Sequence, residues 1–234
     1  MRHLVLVHGL NNTPIIWEPL LEILALRLGS GWQIHCPMLE AHESTDAVAA
    51  QLLEQLPDRF SYVGFSFGGY VGMAMLAAAA ARVEAFALVC SSTRAENEAA
   101  VPMRQKAIEI AQGGGYLAMM AKNHPLTVHP DRVDDPAIHE RRKLMLEGYG
   151  PERFVAHMRA CIVRPDRTTL LAQFAGPRLM IATEDDKVVP AALMREIHAG
   201  MPEVPLVAID RCGHLLPLER PQALADALAD WLGA

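Results

Sequence analysis

Gly64-Phe65-Ser66-Phe67-Gly68-Gly69 sets one serine between glycines two residues away on either side. A serine at the tip of a strand-to-helix turn projects its hydroxyl into a cleft, and the positions two before and two after must be very small for the turn to close. The helix behind it aims free N–H groups and a positive dipole end at the spot where an anion develops during attack on a carbonyl. The chemistry so favoured is acyl transfer to Ser66. A hydroxyl is a weak nucleophile at neutral pH and needs a base with a pKa near ~6.5, hence a histidine. Of the ten histidines, His214 is the candidate, because Cys212-Gly213-His214 follows an apolar run and leads into Leu215-Leu216-Pro217-Leu218-Glu219-Arg220-Pro221. His42, His124, His129, His139, His157 and His198 lie in helical contexts with no strand end to present them.

Such a base needs a carboxylate to fix its tautomer and to stabilise the imidazolium. Glu184-Asp185-Asp186 offers two adjacent aspartates after the run Arg178–Thr183. Spacing to Pro190 favours Asp186 as the orienting acid and leaves Asp185 as a loop cap or a solvated charge. His8-Gly9-Leu10-Asn11-Asn12 ends the first apolar run, and Gly9 there lets the backbone approach a substrate closely. The expected oxyanion donors are the backbone N–H groups of Leu10 and Phe67. His8 reads as a buried ring bracing this loop. Trp17 reads as a wall of the substrate pocket or as core.

These residues have to be presented by strands. His3–Val7, Gln33–Cys36, Ser61–Phe65, Ala85–Cys90, Arg178–Thr183 and Leu206–Ile209 are short β-rich runs, mostly apolar on both faces, as parallel strands covered by helices on both sides require. Helical patterns alternate with them at Trp17–Leu28, Thr45–Glu54, Gly69–Ala81, Ala191–Ala199 and Pro221–Trp231. This alternation predicts an α/β chain with a mostly parallel, doubly wound sheet of about six strands flanked by helices. Its candidate residues then gather at the carboxyl edge.

Residues 91–175 break the rhythm. They are helix-prone, hold no convincing strand, and are punctuated by Gly113-Gly114-Gly115, His124-Pro125, His129-Pro130 and Gly150-Pro151. The expected division is a core of residues 1–90 and 176–234 with a helical lid inserted at 91–175. The lid carries 12 Lys and Arg against 10 Asp and Glu, while the rest carries 9 against 17. That contrast reads as a solvated helical surface or as a mildly basic rim suited to acidic substrates. Five of the 12 methionines fall in the lid, and Met119 and Met120 are candidates for an adaptable apolar pocket.

Composition narrows the function classes. A net charge of −6 gives no broad basic surface for nucleic acid. No H-E-x-x-H or comparable metal cluster occurs, and the four cysteines, Cys36, Cys90, Cys161 and Cys212, are widely spaced small apolar residues in this reading. Met1-Arg2-His3 leads directly into Leu4-Val5-Leu6-Val7, too short for a signal-peptide core. Phe60 to Ala81 is uncharged for 22 residues but interrupted by four glycines and Ser66, a strand, turn and helix rather than a membrane span. A cytoplasmic protein acting on a small acyl substrate is expected.

With H-G after the first strand, G-F-S-F-G-G, D-K-V-V-P and G-H-L-L-P-L-E-R-P in that order, the chain resembles the α/β-hydrolase fold over nearly its whole length. The resemblance implies a Ser-His-Asp mechanism with a helical cap and neither metal nor organic cofactor. The acyl-enzyme reaction would cleave a small ester, lactone or thioester. The same triad also serves C–C bond hydrolysis, acyl transfer and peracid formation, and the fold also serves as a non-catalytic binding protein. Dehalogenation would want an aspartate at Ser66. Arg164-Pro165-Asp166 with Leu170-Leu171 faintly resembles enol-lactonase and small-ester hydrolases. Many members carry two strands ahead of the H-G strand, so the sheet here would expose an edge suited to self-association, that is, a homo-oligomer.

Overall fold

The computed structural model describes residues 1–233. Six strands form one sheet: β1 (Arg2–Val7), β2 (Trp32–His35), β3 (Phe60–Phe65), β4 (Val83–Val89), β5 (Arg178–Thr183) and β6 (Leu206–Ile209). Their spatial order is β2-β1-β3-β4-β5-β6, and every neighbouring pair is parallel. Parallel neighbours need crossovers, which helices supply. In chain order the helices are α1 (Glu18–Leu28), α2 (Thr45–Gln55), α3 (Phe67–Ala79), α4 (Val101–Ile110), α5 (Tyr116–Lys122), α6 (Pro136–Val163), α7 (Thr168–Gln173), α8 (Ala191–Ala199), α9 (Leu216–Glu219) and α10 (Pro221–Leu232), the last two following β6. No described helix is long and apolar enough to cross a membrane.

Side-chain alternation along the strands builds two cores. Val5 and Val7 of β1, Phe86 and Leu88 of β4, and Met180 and Ala182 of β5 face one way and pack with residues of α2, α3 and α8. Leu4 and Leu6, Ala87 and Val89, and Leu179 and Ile181 face the other way and pack with residues of α1 and α10. Both faces are apolar because both are covered. The edge strands β2 and β6 are only partly buried.

Several element ends differ from the sequence pattern by one or two residues, and two of them share one reason. The strand expected to reach Cys90 ends at Val89, and the helix expected from Gly69 begins at Phe67. Cys90 (φ 45°) and Ser66 (φ 52°) leave the β region abruptly, so each transition takes a single residue.

Between β4 and β5, α4 to α6 carry a third apolar cluster of their own, which includes Tyr116, Met120, Leu146, Tyr149 and Phe154, while Leu171 of α7 packs into the first core. Leu10 packs against this cluster. Gly150 (φ 76°) followed by Pro151 interrupts α6, since a positive φ suits glycine and proline lacks the N–H that would continue the ladder. Arg164 fastens the end of α6, lying 4.1 Å above the Tyr70 ring and 2.9 Å from Glu96.

Candidate active site

Ser66 sits between β3 and α3 with φ 52° and ψ −117°, a conformation that side-chain-bearing residues rarely hold. Its surroundings leave the turn no alternative. A Cβ on Gly64 would fall 2.6 Å from the Gly68 carbonyl oxygen, and one on Gly68 would fall 2.2 Å from that of Val7. The Ser66 N–H donates to the Val89 carbonyl at 2.9 Å, and the Ser91 hydroxyl donates to the Ser66 carbonyl at 2.6 Å. The turn is thus anchored on the neighbouring strand β4 and the loop after it.

His214 and Asp186 reach Ser66 from the ends of β6 and β5. The Ser66 Oγ lies 3.0 Å from His214 Nε2, and His214 Nδ1 lies 2.7 Å from Asp186 Oδ2. All three are buried. The other carboxylate oxygen of Asp186, Oδ1, accepts the backbone N–H groups of Val188 (2.7 Å) and Val189 (2.8 Å), which fixes its rotation. Asp185 points elsewhere: its side chain is 42% exposed and stands 3.7 Å from His129, while that of Asp186 is 0% exposed. The Thr183 hydroxyl donates to the Gly213 carbonyl at 2.8 Å, and the Phe65 ring lies 5.1 Å from the His214 ring, so strands β5 and β3 both steady the histidine.

The loop after β1 lies against the serine, since a Cβ on Gly9 would come within 2.9 Å of Ser66 Cβ. Phe67 is the first residue of α3, so its N–H has no helical carbonyl to bond. Among the described residues the N–H of Leu10 has no acceptor either. Neutral rings brace these two donors. His8 Nδ1 donates to the Gly9 carbonyl at 2.9 Å and Nε2 accepts from the Leu39 N–H at 3.4 Å. Burial pushes the pKa of His8 down to about 4. His157 stacks on Phe67 with ring centres 4.6 Å apart, accepts the Tyr149 hydroxyl, and donates to the Glu40 carbonyl at 2.7 Å. Its pKa is likewise about 4, again through burial.

The remaining sequence candidates are placed differently. Trp17 is 0% exposed and lies in the core under α1, edge-on to Phe65, so it supports the site from behind and does not wall a pocket. Met120 is buried in the third cluster and Met119 packs half-exposed against it. Cys90, Cys161 and Cys212 are buried and Cys36 is partly so.

A model of the Alpha/beta hydrolase family matches residues 4–227. The chain belongs to the α/β-hydrolase family. Among curated relatives of this α/β-hydrolase, a pimeloyl-[acyl-carrier protein] methyl ester esterase of Nitrosomonas europaea is 26% identical over 94% of this chain and 91% of its own. Among solved structures, a thermophilic esterase from Thermogutta terrifontis superposes with a TM-score of 0.88 at 23% identity, covering 100% of this chain and 90% of that one. The enol-lactonase from Burkholderia xenovorans LB400 gives 0.87 at 19%, covering 100% and 92%. These two likenesses show a shared fold.

Two residues of the hydrolase were not anticipated from sequence. Glu219 is buried, and its Oε2 accepts the N–H of His129 at 2.7 Å and that of Gly213 at 3.1 Å. It therefore joins the inserted segment to the His214 loop, and burial raises its carboxyl above the usual range despite these bonds. The sequence signal was a glutamate five residues after His214, in a stretch otherwise apolar before Arg220. Ser91, two residues past the end of β4, carried no signal beyond its position.

Proposed function

We propose that this α/β-hydrolase is a serine esterase that cleaves a small ester, lactone or thioester through an acyl-enzyme. What carries the reading is the unbroken chain Asp186–His214–Ser66, at 2.7 and 3.0 Å, ending on a serine held at positive φ. The Ser66 hydroxyl attacks the carbonyl as His214 Nε2 takes its proton. The ring's other N–H remains on Asp186, which stabilises the imidazolium. The N–H groups of Leu10 and Phe67 receive the oxyanion. His214 then protonates the leaving group, and in the second half it activates water to release the acid.

Residues 91–175 serve as a lid whose inner face, with Leu10 and Met119, meets the acyl group. The curated relative named for a methyl ester supports a carboxylic ester over the other acyl classes. Labelling with a fluorophosphonate followed by peptide mapping tests the central assignment. Modification at Ser66, and its loss in Ser66→Ala, is the expected result. An unmodified Ser66 in folded protein overturns it.

A further inference from the structure

Gly69 lies one residue beyond the glycine pair that lets the serine turn close. Ser91 is what keeps it bare: a Cβ on Gly69 would fall 2.6 Å from Ser91 Cβ and collide with the Ser91 hydroxyl. Cys90, at φ 45°, turns the chain at the end of β4 and brings Ser91 back to the serine turn. Ser91 is 0% exposed, and its hydroxyl makes a single bond among the described residues, to the Ser66 carbonyl at 2.6 Å.

That carbonyl is satisfied without Ser91, since it also accepts the Gly69 N–H at 2.8 Å. The second bond fills its other lone pair, and what it adds is direction. Ser66 pairs its positive φ with ψ −117°, a sparsely populated region that persists only where the surroundings over-determine it. The peptide after Ser66 is therefore held by whatever bonds to it. A trans peptide is planar, with its C=O and N–H pointing in opposite directions, and no described peptide is cis. The N–H in the plane of the Ser66 carbonyl is that of Phe67, one of the two proposed oxyanion donors. Two bonds on the oxygen fix the rotation of this plane, and with it the line along which the Phe67 N–H points.

The Leu10 donor repeats the arrangement. The carbonyl in its peptide belongs to Gly9 and accepts His8 Nδ1 at 2.9 Å. His8 is 0% exposed as well. Each proposed donor thus lies in a peptide whose oxygen is bonded by a buried side chain.

We infer that Ser91 is a positioning residue for acyl transfer, aiming the Phe67 N–H at the oxyanion through the Ser66 carbonyl. The inference rests on the Ser66 reading above. An aimed donor counts most once charge has developed on the substrate oxygen, so the effect falls on the transition state. The O–H bond on the carbonyl also polarises the peptide and strengthens its N–H as a donor. Losing Ser91 then lowers kcat and leaves KM in place.

The test compares the parent with Ser91→Ala on p-nitrophenyl acetate, with kcat counted per serine labelled by a fluorophosphonate at completion. Ser91→Ala should lower kcat on the order of 10- to 100-fold, less than the loss of a whole donor, with KM within about threefold. An alkyl trifluoromethyl ketone, which adds to the serine as an anionic hemiketal, should bind more weakly by the same factor. A merely structural Ser91 would change the number of labelled sites and leave both per-site quantities unmoved. A kcat loss below about tenfold overturns the inference, as does a loss carried by KM or one unmatched in ketone binding. Unlabelled Ser66 in the folded parent overturns the Ser66 reading and this inference together. Labelled Ser66 with parent-like kcat in Ser91→Ala overturns this one alone. Should Ser91→Ala not fold, Ser91→Cys decides, since a thiol is a weak donor of nearly the same size. Its kcat should fall at least about threefold with a matched loss of ketone binding, and a smaller loss overturns the inference.

Discussion

Asp186→Asn removes a charge and one acceptor while leaving the side-chain shape nearly unchanged, and the surrounding bonds decide which way the amide turns. Oδ1 accepts two backbone N–H groups, from Val188 and Val189 at 2.7 and 2.8 Å. An NH2 placed there would face two donors, so the amide oxygen keeps that position. The NH2 then takes the place of Oδ2, 2.7 Å from His214 Nδ1, and donates to it. The ring answers by carrying its proton on Nε2, 3.0 Å from Ser66 Oγ, where it can no longer accept the hydroxyl proton. A reversed tautomer of this kind costs about 10⁴ in kcat, or about 5.5 kcal/mol at the transition state. Asp185→Asn changes a half-exposed side chain 3.7 Å from His129 and should cost less than about threefold. The assay is steady-state hydrolysis of p-nitrophenyl acetate alongside thermal melts of both variants. Asp186→Asn turning over within tenfold of the parent while folded would refute the reasoning, and so would equal losses in the two variants.

Two further expectations concern stability. Gly68→Ala drives a Cβ to 2.2 Å from the Val7 carbonyl oxygen, with backbone on both sides, and should cost about 3 kcal/mol, or about 6–12 °C in Tm. Gly113→Ala meets no atom within 4 Å, so its melt should match the parent, and equal melts for the two variants would remove the packing argument. His8 and His157 are held neutral down to about pH 4, whereas in the unfolded chain they take up protons near 6.5. The unfolded state then binds more protons between those values, so stability falls as pH drops from about 6.5 to about 4, by on the order of 3 kcal/mol from each ring. Urea titrations across that range on the parent and on His8→Gln should show a shallower slope in the variant. An unchanged slope would count against a buried neutral His8.

The sheet and its helices were legible because their cause is local and repetitive. A strand covered on both faces must be apolar where it is covered, and β1, β3, β4 and β5 are so over most of their length. Helix α10 announced itself by Pro221 at its first position, where a missing N–H costs nothing. Asp186 could be preferred to Asp185 on spacing, but only the carboxyl rotation set by Val188 and Val189 brings one of the two onto His214. The burial of Arg142 was illegible for a physical reason. In Glu140-Arg141-Arg142-Lys143 every residue suits a solvated helix face, and nothing in the string distinguishes the one arginine that turns inward. Trp17 was ambiguous because core and pocket favour the same large apolar ring. Glu219 acts through two N–H groups whose owners, His129 and Gly213, lie far from each other in the chain.

That single carboxylate oxygen on Glu219 has a kinetic consequence. Gly213 sits so close to Val128 and His129 that a Cβ would fall 2.5 Å from the Val128 carbonyl carbon, and one acceptor serves both sides of the seam. Raising residues 128–129 breaks that seam, strands buried N–H groups at about 1–3 kcal/mol each, and frees the loop that carries His214. On the proposed mechanism a molecule opened along this edge would be idle as well as open, because access there and readiness to react would lie on one coordinate. The glycine turn Gly113–Gly115, with Gly114 at φ 84° and open space around it, has no such link to the histidine. A displacement of that turn leaves both Glu219 bonds, and with them the loop that carries His214, in place.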